Sequence, residues 1–340
     1  MSQSKQWPQE VLLHDHGDGS ITVLPILRKL YSHACTEFPL DKNRDLETLH
    51  KQVKDWFFNP QIDIVRRFSL VTEVLKSYSA LSMFAEQYVN YRAEQGFKYC
   101  EMTFAPQYHV NEGFPVQHVV DALLSGIRLG ERNYPEIEVN LLLTIGREVE
   151  PQEAVRLVDI AGCCDRDYVV GIGLVCDEAS HPPEKHIPMF KRAKELGFKT
   201  TCHAGEWVSD SPEFEKDLPG LIKNIRTAIV DLGVDRVGHA IGLPYDSELM
   251  KIVADRGIGI EGCPGSNFAS ELIPDVRCLK ISEMLDANIL YSLNPDDDLF
   301  LPDLDETFRL CDVAYRFTEE EKFKLQANAW ATRFGHRKYQ

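Results

Sequence analysis

The sequence predicts an α/β fold, a (β/α)8 TIM barrel with a helical insertion between its first and second strands. Three observations predict it. Strand and helix signals alternate along the chain until eight strand candidates have been counted. Polar residues able to bind a metal or move a proton fall at the ends of several of these strands, which in a barrel meet on one rim. The 340 residues carry no Pro/Gly/Ser linker, charge block or low-complexity tract, so residues 1–340 read as one domain, of a length that barrels often reach.

The first strand covers about 10–16 and ends in His14-Asp15-His16, followed by Gly17-Asp18-Gly19-Ser20. The insertion runs from about 20 to 96. Within it, Ile64, Val65, Phe68, Leu70, Val71, Val74 and Leu75 recur near helical spacing, predicting a helix over 62–94 that stops at Gly96. Tyr99–Phe104 is the second strand, ended by Ala105-Pro106. A helix over 116–132 and a strand over 139–145 follow, closed by Gly146-Arg147. Pro151 opens the next helix, as proline suits a first helical turn. Strand 169–175 ends at Cys176-Asp177-Glu178, and strand 198–202 ends at His203. Helix 219–232 leads to strand 236–238, which ends at His239. Strand 257–261 ends at Gly262-Cys263-Pro264, and strand 289–293 ends at Asn294-Pro295-Asp296-Asp297-Asp298. Helices over 304–315 and 319–332 close the chain.

Composition narrows the function. With 44% hydrophobic and 10% aromatic residues, the chain has enough apolar mass for a large core. A net charge of −16 argues against a sequence-independent nucleic-acid binder and mildly against anionic membranes. A small neutral or cationic partner fits better. The nine cysteines follow no disulfide spacing, and the N-terminal segment lacks a signal-peptide pattern. No window is apolar for long enough to cross a bilayer. The expected location is the cytoplasm.

Residues two apart on a strand point to one side, so His14 and His16 can present both imidazoles to one metal. His203 at the end of strand five and Asp296 at the end of strand eight complete a zinc-competent set with one position open to water. Zinc lowers the pKa of water and makes hydroxide available near neutral pH. Glu206, three residues past His203 behind Ala204-Gly205, is a candidate proton donor. Its bland alternative is a solvated loop carboxylate; for His239 the alternative is a satisfied core histidine. Three successive carboxylates, Asp296 to Asp298, repel one another, so at least one pKa should rise unless a cation lies nearby.

Other patterns exclude competitors. Gly257-Ile258-Gly259-Ile260-Glu261-Gly262 formally matches the dinucleotide fingerprint, but its glycines lie inside a strand and Cys263-Pro264 stands where a helix start is required. P-loop, HExxH, GxSxG and the cytidine-deaminase Pro-Cys-x-x-Cys pattern are missing.

Taken together, the separated motifs resemble those of the adenosine deaminase family in the amidohydrolase superfamily. His14-Asp15-His16-Gly17-Asp18-Gly19 resembles its HxHxDG segment and His203-Ala204-Gly205-Glu206 matches its HAGE motif. Arg236-Val237-Gly238-His239-Ala240 resembles RIGHG, Cys263-Pro264-Gly265-Ser266-Asn267 resembles CPxSN, and Ser292-Leu293-Asn294-Pro295-Asp296-Asp297 resembles SLNTDD. HxH alone is weak, whereas the ordered set is specific. The resemblance implies one zinc ion per chain on His14, His16, His203 and Asp296. It implies that protonated Glu206 serves N1 of an aminopurine, that His239 orients the attacking water, and that Asp297 contacts N7 and the nucleophile. The implied product is the 6-oxopurine, with release of ammonia. With His16 nearby, Asp18 stands where the family receives a ribose 5′-hydroxyl. Adenine-specific members usually carry Glu there, so Asp18 favours a nucleoside: adenosine or 2′-deoxyadenosine.

Three departures bear on the substrate. Cys176 replaces the glycine whose backbone N–H approaches purine N3, Ala240 replaces the glycine after the catalytic His, and Asp298 replaces a proline, adding a charge beside the metal site. Adenine and modified aminopurine nucleosides therefore stay open as substrates, and a catalytically silent binding protein is the non-enzyme alternative. A two-metal hydrolase is disfavoured, because the 175–179 strand end has no bridging lysine.

Overall fold

Eight runs of buried residues become strands: β1 Val11–His16, β2 Tyr99–Phe104, β3 Glu138–Gly146, β4 Val169–Val175, β5 Lys199–Ala204, β6 Arg236–His239, β7 Gly259–Gly262 and β8 Leu290–Leu293. A computed structural model describes residues 9–20 and 71–339, with the isolated positions 45, 48, 51 and 55. The strands form one sheet in the order β1 to β8, every adjacent pair parallel. Such strands are covered on both faces and read as near-continuous apolar runs, as all nine buried residues of β3 illustrate.

The seam between β1 and β8 is made differently from the other joints. An isolated parallel bridge pairs Asp15 with Asp296, with His16 N donating to the Asp296 carbonyl at 3.2 Å. Below it, a side chain replaces the ladder: Asn294 Oδ1 accepts from Leu13 N and His14 N at 3.0 and 3.2 Å. Gln9 Nε2 donates to the Leu293 carbonyl at 2.8 Å.

The helices are α1 Tyr78–Glu94, α2 Val116–Asn133, α3 Pro151–Gly162, α4 Ile187–Glu195, α5 Phe214–Thr227, α6 Ser247–Arg256, α7 Pro264–Ala269, α8 Ile281–Asp286, α9 Leu304–Tyr315 and α10 Glu319–Thr332. Most follow the sequence pattern, with three corrections. The helix expected over 62–94 lies outside the described residues up to 70. Its remainder is two pieces, because residues 71–74 are helical and Ser77 then caps α1 by accepting from Ala80 N. The helix expected from 219 begins at Phe214, so Pro219 lies inside it. Finally, a helix does start at Pro264, with proline in its first turn. The dinucleotide reading still fails, since Gly257 caps α6 in the left-handed region (φ 63°) and Gly259 to Gly262 form β7.

A polar chain crosses the barrel. Arg236 on β6 pairs with Glu101 on β2 and with Glu261 on β7. Strands β2 and β6 are four places apart, so the Arg236–Glu101 pair has to pass through the interior. The C-terminal segment seals the opposite end: Phe334 N donates to Glu101 at 2.6 Å, Gly335 N to Tyr99 Oη at 2.7 Å, and the Arg236 guanidinium lies 3.5 Å from the Phe334 ring centroid.

Candidate active site

The C-terminal ends of β1, β5, β6 and β8 bring His14, His16, His203, His239 and Asp296 together. His16 Nε2 lies 3.2 Å from His203 Nε2. Asp296 Oδ1 lies 3.4 Å from His14 Nε2 and 3.3 Å from His16 Nε2. Donor atoms of His14, His203, His239 and Asp296 all lie within 4.8 Å of one another, as do those of His16, Asp296 and Asp297.

Each of three rings is held from behind. His14 Nδ1 meets Glu261 Oε2 at 3.0 Å, His203 Nδ1 meets the Leu174 carbonyl at 3.2 Å, and His239 Nδ1 meets Asn267 Oδ1 at 2.8 Å. These partners are acceptors, so each Nδ1 keeps its proton and each Nε2 is left with its lone pair toward the centre. Among the described residues, Nε2 of His14 and of His239 has no hydrogen-bond partner. Burial and then the neighbouring rings of His14, His239 and His16 push His203 well below the ordinary imidazole range, so it is neutral. Several inward lone pairs beside a carboxylate repel one another unless a cation lies among them. Atoms 3.2–3.4 Å apart are spaced like the edges of a tetrahedron around an ion at about 2.0–2.1 Å. The donor set fits a divalent metal of zinc's size and ligand preference.

Glu206 follows at the end of β5, with Oε2 3.6 Å from His239 Nε2. Burial raises its carboxyl pKa, with the charges of Asp296 and Glu178 adding to the rise and His239 opposing it. Asp297 is pushed well above the carboxylate range by burial, then by Asp296 and Asp18. Asp296 goes the other way: despite burial, the imidazoles of His14, 3.4 Å away, and of His239 hold it below its ordinary range. The three adjacent carboxylates are therefore not equivalent. The third, Asp298, is turned from the cluster onto Arg92 of α1 at 2.7 Å, and Arg92 also forks onto Asp15 at 2.8 and 2.9 Å. The extra charge expected beside the cluster is paired with an arginine, which Asp298 shares with Asp15.

Left-handed backbone recurs at the strand ends that carry the site: Cys176 (φ 76°), Gly205 (φ 69°), His239 (φ 62°), Ala240 (φ 51°) and Asp296 (φ 71°). Side-chain-bearing residues held there cost about 1–3 kcal/mol each and persist only where their surroundings enforce them. Both departures from a family glycine, Cys176 and Ala240, fall in this region. Cys176 is exposed, with Sγ 3.4 Å from Tyr108 Oη. Its replacement in Cys176→Gly is expected to raise unfolding free energy by about 1 kcal/mol. Urea unfolding measures this, and a loss of stability would show that the thiol contact outweighs the strain.

Several residues hold the site without standing among its predicted ligands and catalytic groups. Glu178, just past β4, accepts from Gly205 N and Glu206 N at 2.8 Å, Trp207 N at 3.3 Å and Asn224 Nδ2 at 3.0 Å. One carboxylate thus fixes the turn that aims Glu206. Its neighbours in Cys176-Asp177-Glu178 flagged the strand end but not this task. In Glu178→Gln an amide N–H would face backbone N–H groups, and kcat is expected to fall about a hundredfold as Glu206 shifts. Metal content should not change, and its loss would make Glu178 a structural support of the ligands instead. Ser266 Oγ donates to Asp296 Oδ2 at 2.6 Å. Gly19 admits no side chain, because a Cβ there would sit 1.8 Å from Asp297 Oδ1.

The family model described as Adenosine deaminase matches residues 9–338. The chain belongs to the adenosine deaminase family. Membership makes it a hydrolase acting on a C–N bond, an aminopurine deaminase. Among curated relatives, an adenosine deaminase of Shewanella denitrificans is 26% identical over 320 residues, covering 93% of this chain and 91% of the relative. An adenine deaminase structure from Arthrobacter aurescens aligns with TM-score 0.78 at 22% identity, over 97% of this chain and 95% of that one. An amidohydrolase from Burkhoderia ambifaria, solved with bound Zn, aligns with TM-score 0.77 at 23% identity, over 97% and 86%. These structural likenesses establish the adenosine deaminase family's barrel fold for this chain. Among the described residues no helix is long and apolar enough to cross a membrane.

Proposed function

We propose that the chain converts adenosine or 2′-deoxyadenosine, with water, to the corresponding inosine and ammonia, using one zinc ion held by His14, His16, His203 and Asp296. The observation that carries the reading is the placement of Glu206, with its raised carboxyl pKa, 3.6 Å from His239 and beside the imidazole–carboxylate cluster. When bound, zinc acts as a Lewis acid that makes hydroxide available near neutral pH.

The chain's own residues do the rest. Protonated Glu206 gives its proton to N1 of the purine, which draws electrons from C6 and opens it to addition. His239 keeps Nδ1–H on Asn267 and offers Nε2 as an acceptor to the attacking water, whose proton then passes to the C6 amino group, so that the C6–N bond breaks and ammonia leaves. Asp297, also kept protonated, donates to N7, and among the described residues its Oδ1 has no partner. Asp18 accepts from the ribose 5′-hydroxyl beside His16, and the backbone N–H of Cys176 meets N3.

The test is ammonia release from adenosine, 2′-deoxyadenosine and adenine by the metal-loaded protein. Turnover of the two nucleosides above the free base is the expected result. Preference for adenine would transfer the reading to the adenine-specific branch. No ammonia from any of the three would overturn it in favour of a modified purine or a silent binding protein.

A further inference from the structure

His109 belongs to none of the motifs that carry the family resemblance, yet it touches the end of the site where a sugar would lie. It follows the 3-10 turn Pro106–Tyr108 after β2 and is fully buried. Its ring packs on Phe104 with centroids 4.4 Å apart. Nδ1 faces the Leu75 carbonyl at 3.2 Å, and Nε2 faces Asp18 Oδ2 at 3.2 Å.

A carbonyl can only accept, and so can an ionised carboxylate. Nδ1 therefore donates to the Leu75 carbonyl, while Nε2 makes the hydrogen bond to Asp18 Oδ2. Leu75 precedes α1, so this bond also ties the β2 loop to the segment leading into that helix. Asn111 Nδ2 repeats the tie at the Lys76 carbonyl, 2.8 Å away. Asp18 is thereby fixed through one oxygen. Among the described residues, Oδ1 has no protein donor.

We propose that His109 is the positioning residue of the hydroxyl end of the site: it holds Asp18 by Oδ2 so that Oδ1 accepts from a substrate hydroxyl. The pair then sets the preference for a nucleoside over the free base. The inference rests on the nucleoside reading above and adds the residue that enforces it. Because His109 acts through Asp18, its loss should weaken capture of a hydroxyl-bearing substrate and leave the chemistry at C6 alone.

The experiment compares adenosine, 5′-deoxyadenosine and adenine as substrates of the metal-loaded full chain, native and with His109→Phe or His109→Gln. Phe keeps the ring against Phe104 and removes both ring nitrogens, whereas Gln returns an N–H near the position of Nε2. With His109→Phe, kcat/KM for adenosine should fall about tenfold to a hundredfold, through KM. The values for 5′-deoxyadenosine and adenine should stay within about twofold, and His109→Gln should recover most of the adenosine loss. An equal loss on all three substrates, or no loss on adenosine, overturns the inference while the nucleoside reading stands. A native protein that does not distinguish adenosine from 5′-deoxyadenosine, or turns over neither, overturns both.

Discussion

Glu206→Gln is expected to keep its metal and lose about 10²–10⁴-fold in kcat. Glutamine preserves the shape of the side chain and its place on the turn held by Glu178, but has no acidic proton to give to N1. None of the proposed ligands is altered, so metal content by elemental analysis should match the native protein while ammonia release collapses. Full activity in this variant would remove Glu206 from the reaction. The native pH profile follows from the same group. Its pKa is raised by burial, so the donor form survives to higher pH than in an ordinary glutamate. Activity should then decline as pH rises through that raised value, because the ionised form cannot donate.

Stripping the metal with a chelator is expected to abolish turnover and to lower thermal stability together, with zinc restoring both. The basis is the crowd of imidazole nitrogens, His203 held neutral among them, around an ionised Asp296. A ligand bound only by the folded state stabilises it by RT ln(1 + [L]/Kd), about 4 kcal/mol at a thousandfold excess over Kd. Calorimetry on loaded, stripped and reloaded protein measures the stability, and ammonia release measures the activity. A stripped protein that stays fully active would refute the metal-based reading. An Asp296→Ala variant should resemble the stripped state, since it removes the carboxylate that lies between His14 and His16.

The barrel was legible because its strands are apolar runs ended by polar residues, a local pattern. β2 and β4 fall where the runs predict them, and α9 and α10 match to the residue. Boundaries slipped where local signals conflict. Gly257 and Ile258 before β7 look like strand, but Gly257 is a helix cap, and the acidic turn before Pro219 hides the start of α5. The proposed ligands and acid were visible because strand ends must converge in a barrel. Their supports were not. Arg92 meets Asp298 across more than half the chain, and His109 meets Asp18 from a different strand end. No periodicity connects such pairs, which exist only once the chain has folded.

The seam between β1 and β8 has a consequence for the order in which the protein is made. His14 and His16 leave the ribosome early, yet the carboxylate that joins them lies at residue 296, and the base is sealed by residues 334 and 335. Until β8 emerges, the first strand lacks both its second neighbour and the Asn294 side chain that holds its amides. Contacts so distant in sequence form late. Loading of the proposed metal site is therefore expected to come late, and a nascent chain stalled before Leu290 should lose zinc to a mild chelator that the finished protein resists.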